Sequence, residues 1–153
     1  MHIKRLEISS PQELEQFETF YTAHSIETSF WTIESLCVSL KKDTLRLFQI
    51  FIDQKLSGFY LILKQPEQTE LLYIYIATSK RRQGIAEKLL IHLKSNFLLK
   101  AGNKVHLEVR ASNSPAIKLY QSMGFSTVGT RDNYYKDGED ALLMMLEKDN
   151  SLV

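Results

Sequence analysis

The sequence is short of cysteine, and its few glycines and prolines are scattered. One of the 153 residues is cysteine, so Cys37 has no partner for an intrachain disulfide and a reducing cytoplasm is expected. Its six glycines and three prolines mark no repeat, low-complexity segment or interdomain linker. The chain is therefore expected to form a single domain over residues 1–153.

Net charge and long hydrophobic runs are also lacking. The formal net charge is +1, which gives no global field for nucleic acid. No run approaches the roughly 18 apolar residues of a membrane span, and the acidic N-terminus lacks the apolar segment of a signal peptide. His2, His24 and His92 are too scattered for a metal site, so no metal is expected.

Hydrophobic periodicity predicts the element order β-α-α-β-β-β-α-β-α-β-β. The predicted strands cover about 2–8, 45–51, 56–63, 70–77, 104–110, 125–130 and 141–146. The predicted helices cover about 10–24, 32–40, 87–100 and 114–123, the third closing near Gly102 and the fourth at Gly124. A tight turn at Asp53–Gln54–Lys55 should join the second and third strands.

A glycine-containing junction joins the fourth strand to the third helix. It reads Arg81-Arg82-Gln83-Gly84-Ile85-Ala86, after the β-forming run 71–76. A helix that begins at a glycine exposes N–H groups that have no partner within the helix, and its dipole favours anions there. The junction is therefore the best candidate for binding a phosphorylated cofactor. The run Lys80–Arg82 suits one phosphate group rather than a duplex.

Three stretches of sequence resemble the GNAT superfamily of N-acetyltransferases. Arg81-x-x-Gly84-x-Ala86 is similar to its acetyl-CoA signature, and 107–113 followed by 116–125 is similar to its second half. Residues 131–135 and 140–141 resemble the RimI-type branch, which acetylates the N-terminal alanine of a small-subunit ribosomal protein. The resemblance implies an α/β (α+β) GNAT fold: a mixed, mostly antiparallel sheet of about seven strands flanked by four helices. It also implies strands that splay at the acetyl-CoA site.

The resemblance also assigns residues to the cofactor. Backbone groups of Ile74, Tyr75 and Ile76 would bond the pantetheine arm as an added strand does. The N–H groups that would hold the pyrophosphate belong to Arg82, Gln83, Gly84, Ile85, Ala86 and Glu87. The resemblance implies that Asn113 also bonds the pantetheine. Asn113 could instead cap the helix, but Ser114 before Pro115 already fits that position. One departure is Ala77-Thr78-Ser79, where relatives often have an Asp-Pro pair.

The resemblance makes Glu108 the general base and Tyr120 the general acid. An α-amine must lose a proton before it attacks a thioester, and a carboxylate accepts that proton directly or through water. A phenol can donate to the leaving thiolate. Three alternatives stay open: Glu108 as a surface glutamate paired with Lys or Arg, His106 as the base, and Tyr120 as a packing residue.

Aromatic residues in two segments are candidates for the acceptor site. Tyr134 and Tyr135 would line a groove for the substrate peptide, and Phe30 and Trp31 would form its opposite wall. In both cases, simple packing is the alternative.

These assignments predict an acetyl-CoA-dependent N-acetyltransferase that acts on a protein N-terminus. Ribosomal proteins beginning with alanine are the expected partners. A GNAT enzyme acting on a polyamine, amino sugar or antibiotic is one alternative, and a non-catalytic acyl-CoA-binding module is another. A dinucleotide-binding fold would need the glycine turn near the first strand of a parallel βαβ unit, whereas three strands precede it here.

Overall fold

The computed structural model describes residues 1–24, 31–98 and 104–148. Its strands are β1 (His2–Arg5), β2 (Leu45–Ile52), β3 (Lys55–Lys64), β4 (Gln68–Ile76), β5 (Lys104–Arg110), β6 (Ser126–Arg131) and β7 (Ala141–Leu146). Its α-helices are α1 (Pro11–Ala23), α2 (Ile33–Leu40), α3 (Ile85–Leu93) and α4 (Ser114–Ser122). A 3₁₀ turn at Thr78–Lys80 precedes α3, and a π-helical stretch at Lys94–Leu98 follows it.

The seven strands form one sheet in the order β1-β2-β3-β4-β5-β7-β6. The pairs β1–β2, β2–β3, β5–β7 and β6–β7 are antiparallel, whereas β4–β5 is parallel. The predicted mixed sheet with four helices is thereby confirmed for the described residues, and the splay of strands stays a prediction. Such a sheet is not the parallel βαβ arrangement of a dinucleotide-binding fold.

The chain divides into two compact units. The first comprises Met1–Lys64 and Tyr73–Ala86, and the second comprises Gln65–Leu72 and the residues from Glu87 onward. Strand β4 contributes its first half to the second unit and its second half to the first.

In the first unit, a two-residue turn joins β2 to β3. Asp53 and Gln54 both have positive φ, 49° and 64°, and Ile52 pairs with Lys55. Two successive positive φ values are those of a type I′ turn, whose twist matches an antiparallel pair. The predicted turn is confirmed. It fixes the register that buries Leu47 and Leu61 together.

Helix α1 packs aromatic side chains against the strands of the first unit. Ser10 is its N-cap and Pro11 its first residue, as predicted. The Glu13 carboxylate accepts from the Glu7 N–H at 3.3 Å rather than from Ser10, so only half of the expected capping box forms. The ring of Phe17 meets that of Phe59 edge to face with centroids 5.2 Å apart.

In the second unit, β5 alternates as its sequence predicts. Val105, Leu107 and Val109 are buried, while His106 and Glu108 are half-buried on the opposite face. The paired register with β4 runs from Gln68–Lys104 to Leu71–Leu107, so Glu70 lies beside His106. This register brings ionisable side chains of two strands onto one face.

Three predicted boundaries are corrected by the structure. Strand β1 ends at Arg5, although the Leu6 N–H still donates to the Leu47 carbonyl at 2.8 Å. The third helix is α-helical to Leu93 and then π-helical, and its expected cap at Gly102 lies outside the described residues. The cap of α4 is Asn113, whose side chain accepts from the Ala116 N–H at 3.3 Å. The assignment of that cap to Ser114 was wrong.

Candidate active site

The junction before α3 is built around left-handed backbone in the first unit. Arg82 has φ 59° and Gly84 has φ 72°, and α3 begins at the next residue, Ile85. A Cβ placed on Gly84 would meet no atom within 4 Å. The glycine is therefore needed for its backbone conformation, and the space beside it is open to a ligand. Unsatisfied N–H groups at the start of α3 give that space the character of an anion site.

Arg81 stabilises this junction from inside the first unit. Its Nε donates to the Ile76 carbonyl at 3.0 Å, and its guanidinium carbon lies 5.6 Å from the centre of the Tyr75 ring. The amide of Gln83 donates to the Ser79 carbonyl at 3.3 Å. One of the basic side chains expected near a phosphate, that of Arg81, thus holds the turn itself, together with the side chain of Gln83.

A close backbone approach lies at the end of β4. A Cβ added to Gly58 of β3 would come within 2.5 Å of the Tyr75 carbonyl oxygen. The Ala77 N–H donates to the Ser57 carbonyl at 2.9 Å. Gly58 therefore allows Ile74, Tyr75 and Ile76 to lie tightly against β3.

In the second unit, Glu108 is held by Arg131. Its Oε1 lies 3.0 Å from Nε of Arg131, whose guanidinium carbon in turn lies 5.3 Å from the centre of the Tyr134 ring. The side chain of Glu108 is 17% exposed, whereas that of Arg131 is 54% exposed. Interaction with the carboxylate of Glu108 raises the pKa of Tyr134, so this phenol stays protonated. Glu108 is thus both an ion-paired glutamate and an oriented, accessible carboxylate.

A cavity of about 250 Å³ opens beside Glu108 within the second unit. Its charged lining comes from Glu70, Glu108 and Arg131, and apolar side chains of β6 and β7 complete it. Burial, and then the charge of Glu108, raise the pKa of Glu70. His106 also lines the cavity, but its Nε2 is enclosed without a hydrogen-bond partner among the described residues. Because this nitrogen is enclosed, it is not exposed to an amine substrate, and this favours Glu108 over His106 as the base.

Tyr120 is buried on α4 and packs edge to face on Phe125, with ring centroids 5.8 Å apart. Burial raises the pKa of Tyr120 to about 12. The phenol therefore keeps its proton through neutral and mildly alkaline pH. At the start of the same helix, the side-chain oxygen of Asn113 accepts the capping hydrogen bond from the Ala116 N–H. The amide nitrogen of Asn113 remains as the donor for the predicted contact with pantetheine.

The segment between β6 and β7 is tied to β5 by one arginine, Arg110. Arg110 donates to Asp137 and Glu139, each at 2.8 Å, and its guanidinium lies 3.9 Å from the centre of the Tyr135 ring. Glu139 also accepts from the Ser112 N–H at 2.8 Å. These bonds fix the segment that carries the predicted acceptor-site tyrosines. The T-shaped contact between Tyr134 and Tyr135, at 5.2 Å, orients one ring against the other.

Acid should remove the stabilisation that Glu139 gives to the folded protein. The hydrogen bonds from Ser112 and Arg110 lower the pKa of Glu139 from 4.5 to about 2. Because the folded-state pKa is the lower one, the stabilisation is complete above pH 4.5 and is lost as the pH falls towards 2. We expect the free energy of unfolding to fall more steeply between pH 5 and 2 in the wild type than in Glu139→Gln. Urea titrations at several pH values measure both slopes, and parallel curves would contradict the assignment.

The remaining predicted acceptor residues are only partly described. The carbonyl of Trp31 accepts from the Tyr21 hydroxyl at 3.0 Å, which ties the start of α2 to α1. Phe30 lies outside the described residues. The roles of both residues stay predictions.

Three residues of the second unit can be assigned to the site only when the fold is known: Glu70, Arg110 and Arg131. Sequence reasoning includes Arg131 in a motif without a role of its own, and it misses Glu70 and Arg110. The register that places Glu70 beside His106 is a tertiary fact, and so are ion pairs spanning more than 20 residues. Alternation along β5 does place Arg110 on the face of Glu108, and this is the available signal.

The described part of the chain also bears on metals and membranes. In residues 1–24, 31–98 and 104–148, no group of three or more His, Cys, Asp or Glu side chains could hold a metal ion. Within the same ranges, no helix has both the length and the apolar character needed to cross a bilayer.

Comparison with known proteins agrees with this geometry. The sequence matches the acetyltransferase (GNAT) family over residues 6–125. The ribosomal protein bS18-alanine N-acetyltransferase of Escherichia coli (strain K12) is 37% identical over 102 residues, which are 65% of this chain and 69% of that protein. The crystal structure of the ribosomal-protein-S18-alanine N-acetyltransferase from Escherichia coli has a TM-score of 0.79 at 31% identity. The match covers 97% of each chain.

A more distant structure shares the fold. The aminoglycoside 6′-N-acetyltransferase complexed with coenzyme A has a TM-score of 0.77 at 14% identity, over 96% of this chain and 97% of that one. The family match and the relatives named for bS18-alanine acetylation define an N-acetyltransferase, which is an enzyme. The chain belongs to the acetyltransferase (GNAT) family, and its predicted resemblance to RimI-type enzymes is confirmed.

Proposed function

We propose that this protein transfers the acetyl group of acetyl-CoA to the α-amine at a protein N-terminus. The proposed acceptor is a small-subunit ribosomal protein that begins with alanine, which places the reaction in the cytoplasm. The observation that carries the proposal is Glu108, held by Arg131 at 3.0 Å beside an open cavity. Relatives named for bS18-alanine acetylation support the choice of acceptor.

The junction before α3 fits the diphosphate of acetyl-CoA, because the space beside Gly84 is open and the first N–H groups of a helix have no partner within it. We assign that role to the backbone of Arg82, Gln83, Gly84, Ile85, Ala86 and Glu87. Ile74, Tyr75 and Ile76, with the amide nitrogen of Asn113, would hold the pantetheine arm. Acetyl-CoA would supply the activated thioester, and the protein would hold it against the acceptor.

Glu108 would accept the proton that the acceptor nitrogen loses, directly or through a water molecule. An α-amine has a reference pKa of about 7.7–8.0, so near neutral pH much of the acceptor arrives as ammonium. Tyr120 would donate a hydrogen bond to the departing thiolate. Since the pKa of Tyr120 is about 12, far above that of a thiol, stabilisation by the hydrogen bond matters more than complete proton transfer.

Tyr120→Phe should lower kcat about 10-fold to 100-fold while changing acetyl-CoA affinity little. The ratio reflects one hydrogen bond to a charged group, which is worth about 1.5–3 kcal/mol. Phenylalanine keeps the ring contact with Phe125, so the fold is preserved. Steady-state kinetics and calorimetry separate the two effects. An unchanged kcat, or an equal loss of affinity, would assign Tyr120 to packing.

A panel of amines tests the acceptor. Purified enzyme and acetyl-CoA are incubated with an alanine-starting peptide that also contains lysine, with the same peptide blocked at its N-terminus, with spermidine and with an aminoglycoside. Mass spectrometry should find one acetyl group on the α-amine of the free peptide and none on the blocked one. Faster acetylation of a small amine than of the peptide would favour the alternative function, which so far rests on shared fold alone.

A further inference from the structure

The proposed base is already paired with a cation inside the second unit. Arg131 places Nε 3.0 Å from Glu108 Oε1 and its guanidinium carbon 5.3 Å from the centre of the Tyr134 ring. A carboxylate combined with an aromatic face is also what binds an ammonium group. The surroundings of Arg131 are therefore those that an acceptor ammonium needs.

We propose that Arg131 occupies the acceptor-ammonium position and that the incoming amine displaces it from Glu108. The inference rests on the proposed function, because it takes Glu108 as the group that receives the amine. Two like charges cannot share one carboxylate oxygen without repulsion. With 54% of its side chain exposed, Arg131 can leave this ion pair for solvent, and pairs with such an exposed partner are weak enough for a substrate to break.

A second carboxylate is ready to receive the displaced arginine. Glu70 lines the same cavity as Glu108 and Arg131. The charges of Glu108 and Arg131 both act on Glu70. The close ion pair of Arg131, however, is with Glu108. Burial raises the pKa of Glu70, and the charge of Arg131 opposes that rise. When the ammonium takes Glu108, the guanidinium can turn towards Glu70 and keep its charge compensated.

Displacement makes Arg131 a specificity-determining residue. An acceptor must bring its own positive charge and enough further contact to outcompete a tethered guanidinium. Neutral ligands and isolated small amines are thereby disfavoured relative to a peptide that also contacts the segment carrying Tyr134 and Tyr135. Arg131 itself takes no part in bond making.

The test measures acceptor affinity as well as turnover. Calorimetry gives the Kd of an alanine-starting peptide on the enzyme without acetyl-CoA, and steady-state assays give KM and kcat. Arg131→Gln should lower Kd and KM about 3-fold to 5-fold, the range that loss of a competing exposed ion pair allows. Measuring kcat on the same preparation separates a change in acceptor affinity from a change in turnover.

Matched variants separate displacement from general charge effects. Arg131→Lys keeps a competing cation, so its Kd should stay near the wild-type value. Arg5→Gln removes an arginine that is likewise 3.0 Å from a carboxylate, that of Asp43, and should change neither Kd nor kcat. An unchanged or higher Kd in Arg131→Gln would overturn the inference.

A double-mutant cycle tests the role of Glu70. Glu70→Gln should raise the acceptor Kd about 2-fold to 3-fold in the wild type, because Arg131 then has only Glu108 as a partner. The effect should shrink in the Arg131→Gln background, and equal effects in both backgrounds would overturn the part assigned to Glu70. If the wild type acetylates the peptide but Arg131→Gln binds it no better, only the inference fails. If the wild type acetylates no peptide, the proposed function fails and the inference fails with it.

Discussion

Replacement of Glu108 by glutamine is expected to lower kcat for peptide acetylation at pH 7 by about 10²-fold to 10⁴-fold, the range of general base catalysis. Glutamine has nearly the same shape, and its Oε1 can still accept from Arg131. It cannot take up the proton of the acceptor amine. The affinity for acetyl-CoA should stay within about 2-fold, because the residues proposed to bind it are elsewhere in the sequence.

Steady-state kinetics and calorimetry on the same preparation check both values. The matched control is Glu147→Gln, which removes a glutamate of the second unit that is ion-paired with Lys104 at 2.6 Å. This control should keep the wild-type kcat. If Glu108→Gln also kept it at pH 7, Glu108 would be a structural ion-pair partner and another group would have to take the proton.

Activity of Glu108→Gln should recover as the pH rises. Above the reference pKa of an α-amine, about 7.7–8.0, most of the acceptor is already neutral and needs no base. If the ratio of wild-type kcat to Glu108→Gln kcat falls between pH 7 and 9, the variant has lost the base and not its structure. A constant ratio would indicate damage to binding or folding.

Local signals predict those parts of the fold that depend on local physics. Ser10 and Pro11 define the start of α1 through cap chemistry, and the turn at Asp53 and Gln54 follows from the length of chain between two apolar runs. The predicted cap of α4 is wrong because Asn113 and Ser114 are both good cap residues and only the backbone path chooses between them. The π-helical end of α3 has no local signal.

The same distinction explains the site. Alternation along β5 predicts that Glu108 lies on the face opposite the core, and the burial pattern of the strand agrees. That Arg131 is the cation paired with it could not be predicted, since many basic residues can reach a strand face and only the register of β5, β6 and β7 selects one. The cofactor residues assigned by resemblance stay predictions, because the conformation of a turn does not show which ligand binds to it.

The second large effect is expected at Gly84. Gly84→Val should weaken acetyl-CoA binding about 10²-fold, measured by calorimetry. Its φ of 72° lies in the left-handed region, which is an outlier for a β-branched residue. No atom lies within 4 Å of a Cβ there, so the penalty comes from the backbone and not from a clash. Strain of about 1–3 kcal/mol would be relieved by reshaping the turn, which would redirect the N–H groups at the start of α3.

Two comparisons isolate the diphosphate contact. Gly138→Val introduces a valine at φ 85° in the segment between β6 and β7, again without a close clash, and should leave acetyl-CoA affinity unchanged. Acetyl-pantetheine lacks the diphosphate, so Gly84→Val should lower kcat/KM for acetyl-CoA far more than for acetyl-pantetheine. Equal losses with both donors would mean that the variant acts through general destabilisation. Because the donors share one thioester, a loss confined to acetyl-CoA can arise only from the nucleotide part of the ligand, and the junction before α3 would then be its binding site.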